Sequence, residues 1–325
     1  MPNQGDSGQL LSKPWLVTGG AGYIGGHVIR ALTEARIPWI LLDIDLGSAH
    51  EKFLEKEKFE KCDIRDLDRL RGVFAKHSFE GVIHLAALKS VEDSQFMQQE
   101  YFETNVIGTR NILEVMSEFG TTKIIFSSSA AVYQARKGTE LVDESSPLGP
   151  VSFYGQTKVE AEKIIQDFSQ KQKNSSIIFR YFNVAGASNS TLKDKSKQNL
   201  IPITINKLKS KLAPEIFGND YETSDGTAIR DYVDVRDIAN AHLKAIAYLS
   251  DNSSSHILNI GTGNGASVSK VIELTQEIMG TSISPLIKHR RPGDISAIAA
   301  DCQKAQEVIG FSSNYSLREM VETSI

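Results

Sequence analysis

From residue 15 to about residue 182, apolar runs of strand length alternate with helix-length stretches, and this alternation constrains the fold more than any other feature. Strand-like runs end near Val17, Leu42, Cys62, Leu85, Phe126 and Phe182. Helical stretches fill most intervals, among them Leu67 to His77, Phe96 to Phe119 and Thr157 to Lys173. Strands joined by crossover helices pair in parallel, which predicts an α/β fold built on a doubly wound parallel sheet of the Rossmann type. Ligands of such sheets gather outside the carboxyl ends of the strands. The polar punctuation falls there, at Gly19-Gly20, Asp43, Asp63-Ile64, Ala86-Ala87-Leu88-Lys89, Ser127-Ser128-Ser129 and Asn183. Beyond about Ala185 the pattern loosens, and proline, glycine and aspartate punctuate residues 214–225. That stretch reads as a smaller α/β substrate-binding lobe interleaved with the first.

The first strand-to-helix turn reads Thr18-Gly19-Gly20-Ala21-Gly22-Tyr23-Ile24-Gly25. Gly20, Gly22 and Gly25 fit G-x-G-x-x-G, and Gly19, Gly22 and Gly25 fit the wider G-x-x-G-x-x-G. Glycine lets the turn adopt positive φ and brings backbone N–H groups and a helix N-terminus up to a pyrophosphate. Alone, such a motif can be only a tight loop. Asp43 ends the next apolar run about 20 residues on, where an acid binds a ribose 2′-hydroxyl and would repel a 2′-phosphate. Together they predict NAD rather than NADP.

Tyr154-Gly155-Gln156-Thr157-Lys158 opens a later helix, so Tyr154 and Lys158 at i and i+4 share a face. A phenol ordinarily titrates near 10, and neighbouring positive charge favours its ionised form. Lys158 and an oxidised nicotinamide would supply that charge. Tyr154 then takes a proton from a sugar hydroxyl while hydride leaves the same carbon, with Ser129 hydrogen-bonded to the hydroxyl oxygen. In isolation Y-x-x-x-K is commonplace, a surface tyrosine and a solvated lysine. After a dinucleotide fingerprint and a serine-rich strand end, it reads as the catalytic set Tyr154, Lys158 and Ser129.

The 325 residues suffice for a large core, and 40% apolar with 23% charged residues is ordinary for a globular protein. A net charge of −4 offers no basic stripe for nucleic acid or an anionic membrane surface. No run of about 18 apolar residues is present, so no membrane span is predicted. Two distant cysteines, Cys62 and Cys302, read as free thiols of a reducing, cytoplasmic protein. His84 has no companion ligands at metal-binding spacing, so a hydrogen-bonded strand residue is expected and no metal. The divisions expected are a disordered leader over 1–13, an NAD-binding domain over 14–185, and a mainly nucleotide-sugar-binding lobe over 186–325.

These motifs resemble the extended short-chain dehydrogenase/reductases of the NAD-dependent epimerase/dehydratase family, and within it the branch that epimerises UDP-hexoses at C4. The likeness runs from Trp15 to about Phe311. It includes His84 to Val91, Asn105 to Thr109, Ser127 to Tyr133, Arg180 to Ala187, Asn199 to Pro202, Phe217 to Tyr221, Asp225 to Thr227, Ile229 to Val233 and Arg291 to Asp294. The resemblance implies cofactor contacts from Gly19, Gly22, Tyr23, Ile24, Gly25, Asp43, Asp63, Ile64, Ala86, Ala87, Lys89, Asn105, Ser127 and Tyr181, with Tyr154 and Lys158. It implies that Asn183, Asn199, Leu200, Phe217, Arg230, Arg291 and Asp294 hold the UDP half, and that Ile298 sets the size of the sugar pocket. The two arginines suit a diphosphate, which guanidinium forks bind well. It further implies a 4-keto intermediate, tightly bound NAD and a homodimer through Phe96 to Phe119 and Thr157 to Lys173. The chain departs from the family pattern at Ile44, Gln134 and Phe153. A 4,6-dehydratase would need acids where Ala130-Ala131 stand. UDP-N-acetylglucosamine, UDP-pentose or UDP-glucuronate remain alternative substrates, and a non-catalytic nucleotide-sugar-binding regulator is the alternative of another class.

Overall fold

The computed structural model describes residues 13–46, 58–134, 141–172, 174–291 and 293–325. Residues 1–12 of the expected leader, Gly47, Lys173 and Pro292 lie outside them. The strands are β1 (Trp15–Thr18), β2 (Trp39–Asp43), β3 (Phe59–Lys61), β4 (Gly81–His84), β5 (Lys123–Ser129), β6 (Ser175–Tyr181) and β7 (Asn183–Ala185). They continue with β8 (Glu215–Phe217), β9 (Ile229–Asp234), β10 (His256–Ile260), β11 (Gly265–Ser267), β12 (Leu286–Lys288) and β13 (Ala297–Ile298).

Seven strands form one parallel sheet in the order β10-β6-β5-β4-β1-β2-β3. The order reverses between β1 and β4, the switch point at which doubly wound sheets bind nucleotides. Strands covered on both faces must be apolar on both, because successive side chains point to opposite sides. On one face Trp15, Val17, Leu41, Ile83, Ile125, Ile177 and Phe179 pack under α1 (Tyr23–Glu34). On the other, Leu16, Ile40, Leu42, Val82, Ile124, Phe126 and Ile178 pack under α2 (Leu67–Lys76).

The predicted helix over Phe96 to Phe119 runs without interruption from Gln98, with a π-helical turn in its middle. Its parts are α3 (Gln98–Phe102), the π-helical turn over Glu103–Ile107, and α4 (Gly108–Phe119). The π turn carries Asn105, whose side chain is drawn away to the loop after β4. The predicted helix from Thr157 begins earlier, giving α5 (Phe153–Gln172) with Tyr154 in its first turn.

The second half of the chain adds α6 (Leu200–Lys209), α7 (Val235–Asp251), α8 (Val268–Met279), α9 (Gln303–Ile309) and α10 (Leu317–Ser324). Residues of α7 and β10 complete the core on the α1 face of the large sheet. The remainder forms a separate core, with Ala185, Ile201, Ile205, Tyr232, Val271, Leu274, Met320 and Val321 buried together. Its strands lie in a sheet of β11, β9 and β13, with β7 against β9, and in a β12-β8 pair.

Candidate active site

The loops after β1 and β4 meet at the switch point. Gly19 has φ +69°, and a Cβ there would stand 2.5 Å from the Ala86 nitrogen, so only glycine permits this approach. Gly22 caps α1 without a side-chain acceptor, and the first turn carries no acid. The positive end of that helix therefore stays open to an anion. Tyr23 donates its Oη hydrogen to the Gly186 carbonyl (2.5 Å), stitching this turn to the lobe, and Ile24 packs against the core. Asp43, at the end of β2, accepts hydrogen bonds from the Ala21 (3.1 Å) and Ile44 (2.8 Å) amides, which aims its carboxylate along the glycine turn. This cradle fits a dinucleotide.

Other predicted cofactor residues surround the same strand ends in different states. Asp63 pairs with Arg65 (2.6 Å), which holds its carboxyl below the usual range. Ile64 is buried in the core, while Ala87 is half-buried and Lys89 exposed after β4. Asn105 is buried, accepting from the Leu88 N–H (2.8 Å) and donating to the Leu88 carbonyl and Thr157 hydroxyl (both 3.0 Å). Its amide thus acts on the crevice by clamping the 86–89 loop to α5. Below them, His84 is buried between two threonines. Thr109 donates its hydroxyl hydrogen to the Asn105 carbonyl (2.6 Å), so His84 Nε2–H must donate to Thr109 (3.0 Å) and Nδ1 must accept from Thr18 (2.7 Å). Burial and the charge of Lys158 push His84 down to about 3, so it is a neutral brace.

The predicted catalytic trio converges where β5 ends. The start of α5 lies against the turn after Ser129, where a side chain at position 155 would strike the Ala131 carbonyl. Lys158 Nζ donates to the Ser127 carbonyl (2.8 Å) and lies 4.8 Å from the Phe126 ring centroid and 5.8 Å from that of Tyr154. Burial lowers Lys158 to about 7, against the pull of Glu162. Burial also pushes Tyr154 up to about 12, opposed by a hydrogen bond with Ser129. In the protein alone desolvation therefore wins at Tyr154. Tyr181 is buried alongside, hydrogen-bonded to Ser127 and to His242 Nε2 (3.0 Å).

The predicted nucleotide-sugar residues form a second group on the lobe. Arg230 on β9 pairs with Asp294 and also donates to the Ile229 carbonyl (2.7 Å). The Arg291 guanidinium stacks 4.0 Å from the centroid of Phe217. Ile298 lies opposite Arg230 in the β13–β9 register and packs in one cluster with Val132, Val159 and Phe182, beside the catalytic turn. Asn183 is exposed at the start of β7. Asn199 precedes α6 and donates to Asp194 (2.6 Å), and Leu200 packs on the lobe core. Sequence reasoning missed Asp231, fully buried beneath this group. It accepts from the Thr262, Gly263 and Ala300 amides and ties β9 to the strand carrying Ile298. Its only signal was its place beside Arg230.

Fold and site together define a dinucleotide-binding α/β protein whose buried tyrosine and lysine face the nucleotide crevice. Residues 15–261 match the model of the NAD dependent epimerase/dehydratase family, and the chain belongs to that family. It is 41% identical to the UDP-glucose 4-epimerase of Halalkalibacterium halodurans over 94% of this chain and 93% of that one. Against the Bacillus subtilis UDP-glucose 4-epimerase the identity is 36%, over 95% of both chains. It resembles the crystal structure of the Bifidobacterium longum UDP-glucose 4-epimerase in complex with NAD+ and UDP, with a TM-score of 0.87, 33% identity and 96% of both chains covered.

Proposed function

We propose that this enzyme catalyses the reversible C4 epimerisation of a UDP-hexose, interconverting UDP-glucose and UDP-galactose, with NAD as its bound cofactor. The observation that carries the reading is the convergence of Ser129, Tyr154 and Lys158 beside a glycine cradle that a dinucleotide fits. The UDP-glucose 4-epimerase relatives across nearly the whole chain support it.

Gly19, Gly22, Tyr23 and Gly25 with Asp43 would hold the dinucleotide, and the crevice from Asp63 to Lys89 would take its remaining length. NAD+, when bound, would supply a hydride acceptor and donor for C4 and a positive charge near buried Tyr154. Tyr154 removes the 4-hydroxyl proton and later returns it, while Ser129 orients the hydroxyl oxygen. Arg230, Arg291 and Phe217 grip the UDP half, leaving the 4-keto sugar free to turn over. Binding energy placed on the unreacting half permits that turn.

Incubation with UDP-galactose, without added NAD, is expected to yield UDP-glucose. Purified protein that lacks cofactor and stays inactive after NAD is added would refute the reading. A panel with UDP-N-acetylgalactosamine, UDP-xylose and UDP-glucuronate tests whether Ile298 admits other sugars. The reading includes a homodimer through α3 to α5, supported by the exposed Phe96, Met97, Phe102 and Phe119, and light scattering at monomer mass would remove it. It also includes a cytoplasmic setting, supported by two free thiols that burial pushes up to about 11 at Cys62 and about 12 at Cys302.

A further inference from the structure

The face of α5 that carries Tyr154 and Lys158 continues, one turn on, to Glu162. Each residue engages the end of β5: Tyr154 the Ser129 side chain, Lys158 the Ser127 carbonyl, and Glu162 the Ser128 hydroxyl. Glu162 is held in turn by Arg180 on β6, whose Nε and Nη2 donate to its two oxygens at 3.0 and 2.7 Å. Arg180 also donates to Tyr133 Oη (3.1 Å) and the Glu144 carbonyl (3.2 Å). Both members of the ion pair are 2% exposed. Burying two charges costs several kcal/mol of desolvation, and well-packed apolar residues often serve stability as well or better. Stability is therefore a weak reason for the pair, whereas its place behind the catalytic groups is a specific one.

We propose that Glu162, oriented by Arg180, is a positioning residue for Tyr154 and Lys158: it tethers the Ser127–Ser129 strand end to α5 and sets a fixed negative charge one turn from Lys158. The proposal rests on the epimerase reading of the site. The other titratable groups near the catalytic pair are His84 from β4, Tyr181 from β6 and Tyr101 from α3, all without charge near neutral pH. Glu162 itself is held by Arg180, which also contacts Tyr133 and the Glu144 carbonyl. Glu162 is the group that raises Lys158 against desolvation.

The test compares the wild-type holoenzyme with Glu162→Gln, which keeps the Ser128 contact but removes the charge, and with Glu162→Leu/Arg180→Met, which leaves no unpaired buried charge. In both, the high-pH limb of kcat for UDP-galactose is expected to move toward acid by about one unit, with KM unchanged. The phenolate of Tyr154, read by ultraviolet difference titration against Tyr154→Phe, is expected to move down in Glu162→Gln by up to about one unit, because a negative charge opposing it is gone. Ser128→Ala is expected to lower kcat about fivefold at every pH, the worth of one hydrogen bond. Wild-type positions of limb and phenolate in the folded charge variants would overturn the proposal, as would equal loss at every pH. The phenolate titration needs no substrate, so a wild-type enzyme inactive on UDP-sugars would defeat the epimerase reading without deciding this result.

Discussion

The crevice at the ends of β4 and β5 and the edge of the lobe that carries Arg230 and Arg291 use charge in opposite ways. In the crevice Tyr154, Lys158 and His84 are buried, and desolvation moves each toward its neutral form. On the lobe Arg291, Arg290 and Asp294 lie exposed, with Arg290 paired to Asp220 (2.7 Å). Buried groups are sensitive to small changes of charge, because a low dielectric strengthens every interaction. Exposed guanidinium groups keep their charge whatever binds, which suits holding a diphosphate rather than reacting with it. Under the proposed function, chemistry falls to the dry region and affinity to the wet one.

The sharpest break of that division is Tyr154→Phe. It is expected to lower kcat by about a thousandfold, the scale of a lost general base, with UDP affinity by calorimetry nearly intact. Equal losses in both would mean that Tyr154 only supports the fold. On the other side, Arg291→Ala is expected to weaken UDP binding about tenfold, the worth of a charge-assisted hydrogen bond, while kcat holds. A fall in kcat at unchanged affinity would place chemistry on the lobe.

The third contrast concerns stability. His84 and His242 are buried and pushed down to about 3 and about 4, against 6.5 when unfolded. Between those values the unfolded chain binds more protons, so stability rises with pH across that window and is lost as acid is added. Each contributes up to about 1.4 kcal/mol per pH unit. Urea midpoints should fall between pH 6.5 and 4, and His242→Gln should flatten that fall.

Much of the crevice was legible because its signals are local. The glycine turn, Asp43 and the Tyr154–Lys158 spacing each lie within a single strand–turn–helix unit, where sequence distance and spatial distance nearly coincide. The π turn within the Phe96–Phe119 helix was not, because Asn105 is joined to Leu88, 17 positions away, by a hydrogen bond that no periodicity encodes. Arg291 over Phe217 and Asp231 beneath Ala300 likewise join residues about seventy positions apart.

The order of residues was enough to determine a parallel α/β sheet, a dinucleotide turn and a helix carrying Tyr154 and Lys158 on one face, since period, glycine placement and i, i+4 spacing are properties of short segments. Folding in three dimensions decided which of those groups are dry, and therefore where they titrate. It also brought Glu162 and Arg180 behind the catalytic pair and Ile298 beside the catalytic turn. Desolvation and long-range pairing depend on what the rest of the chain places around a residue, and no local pattern carries that information.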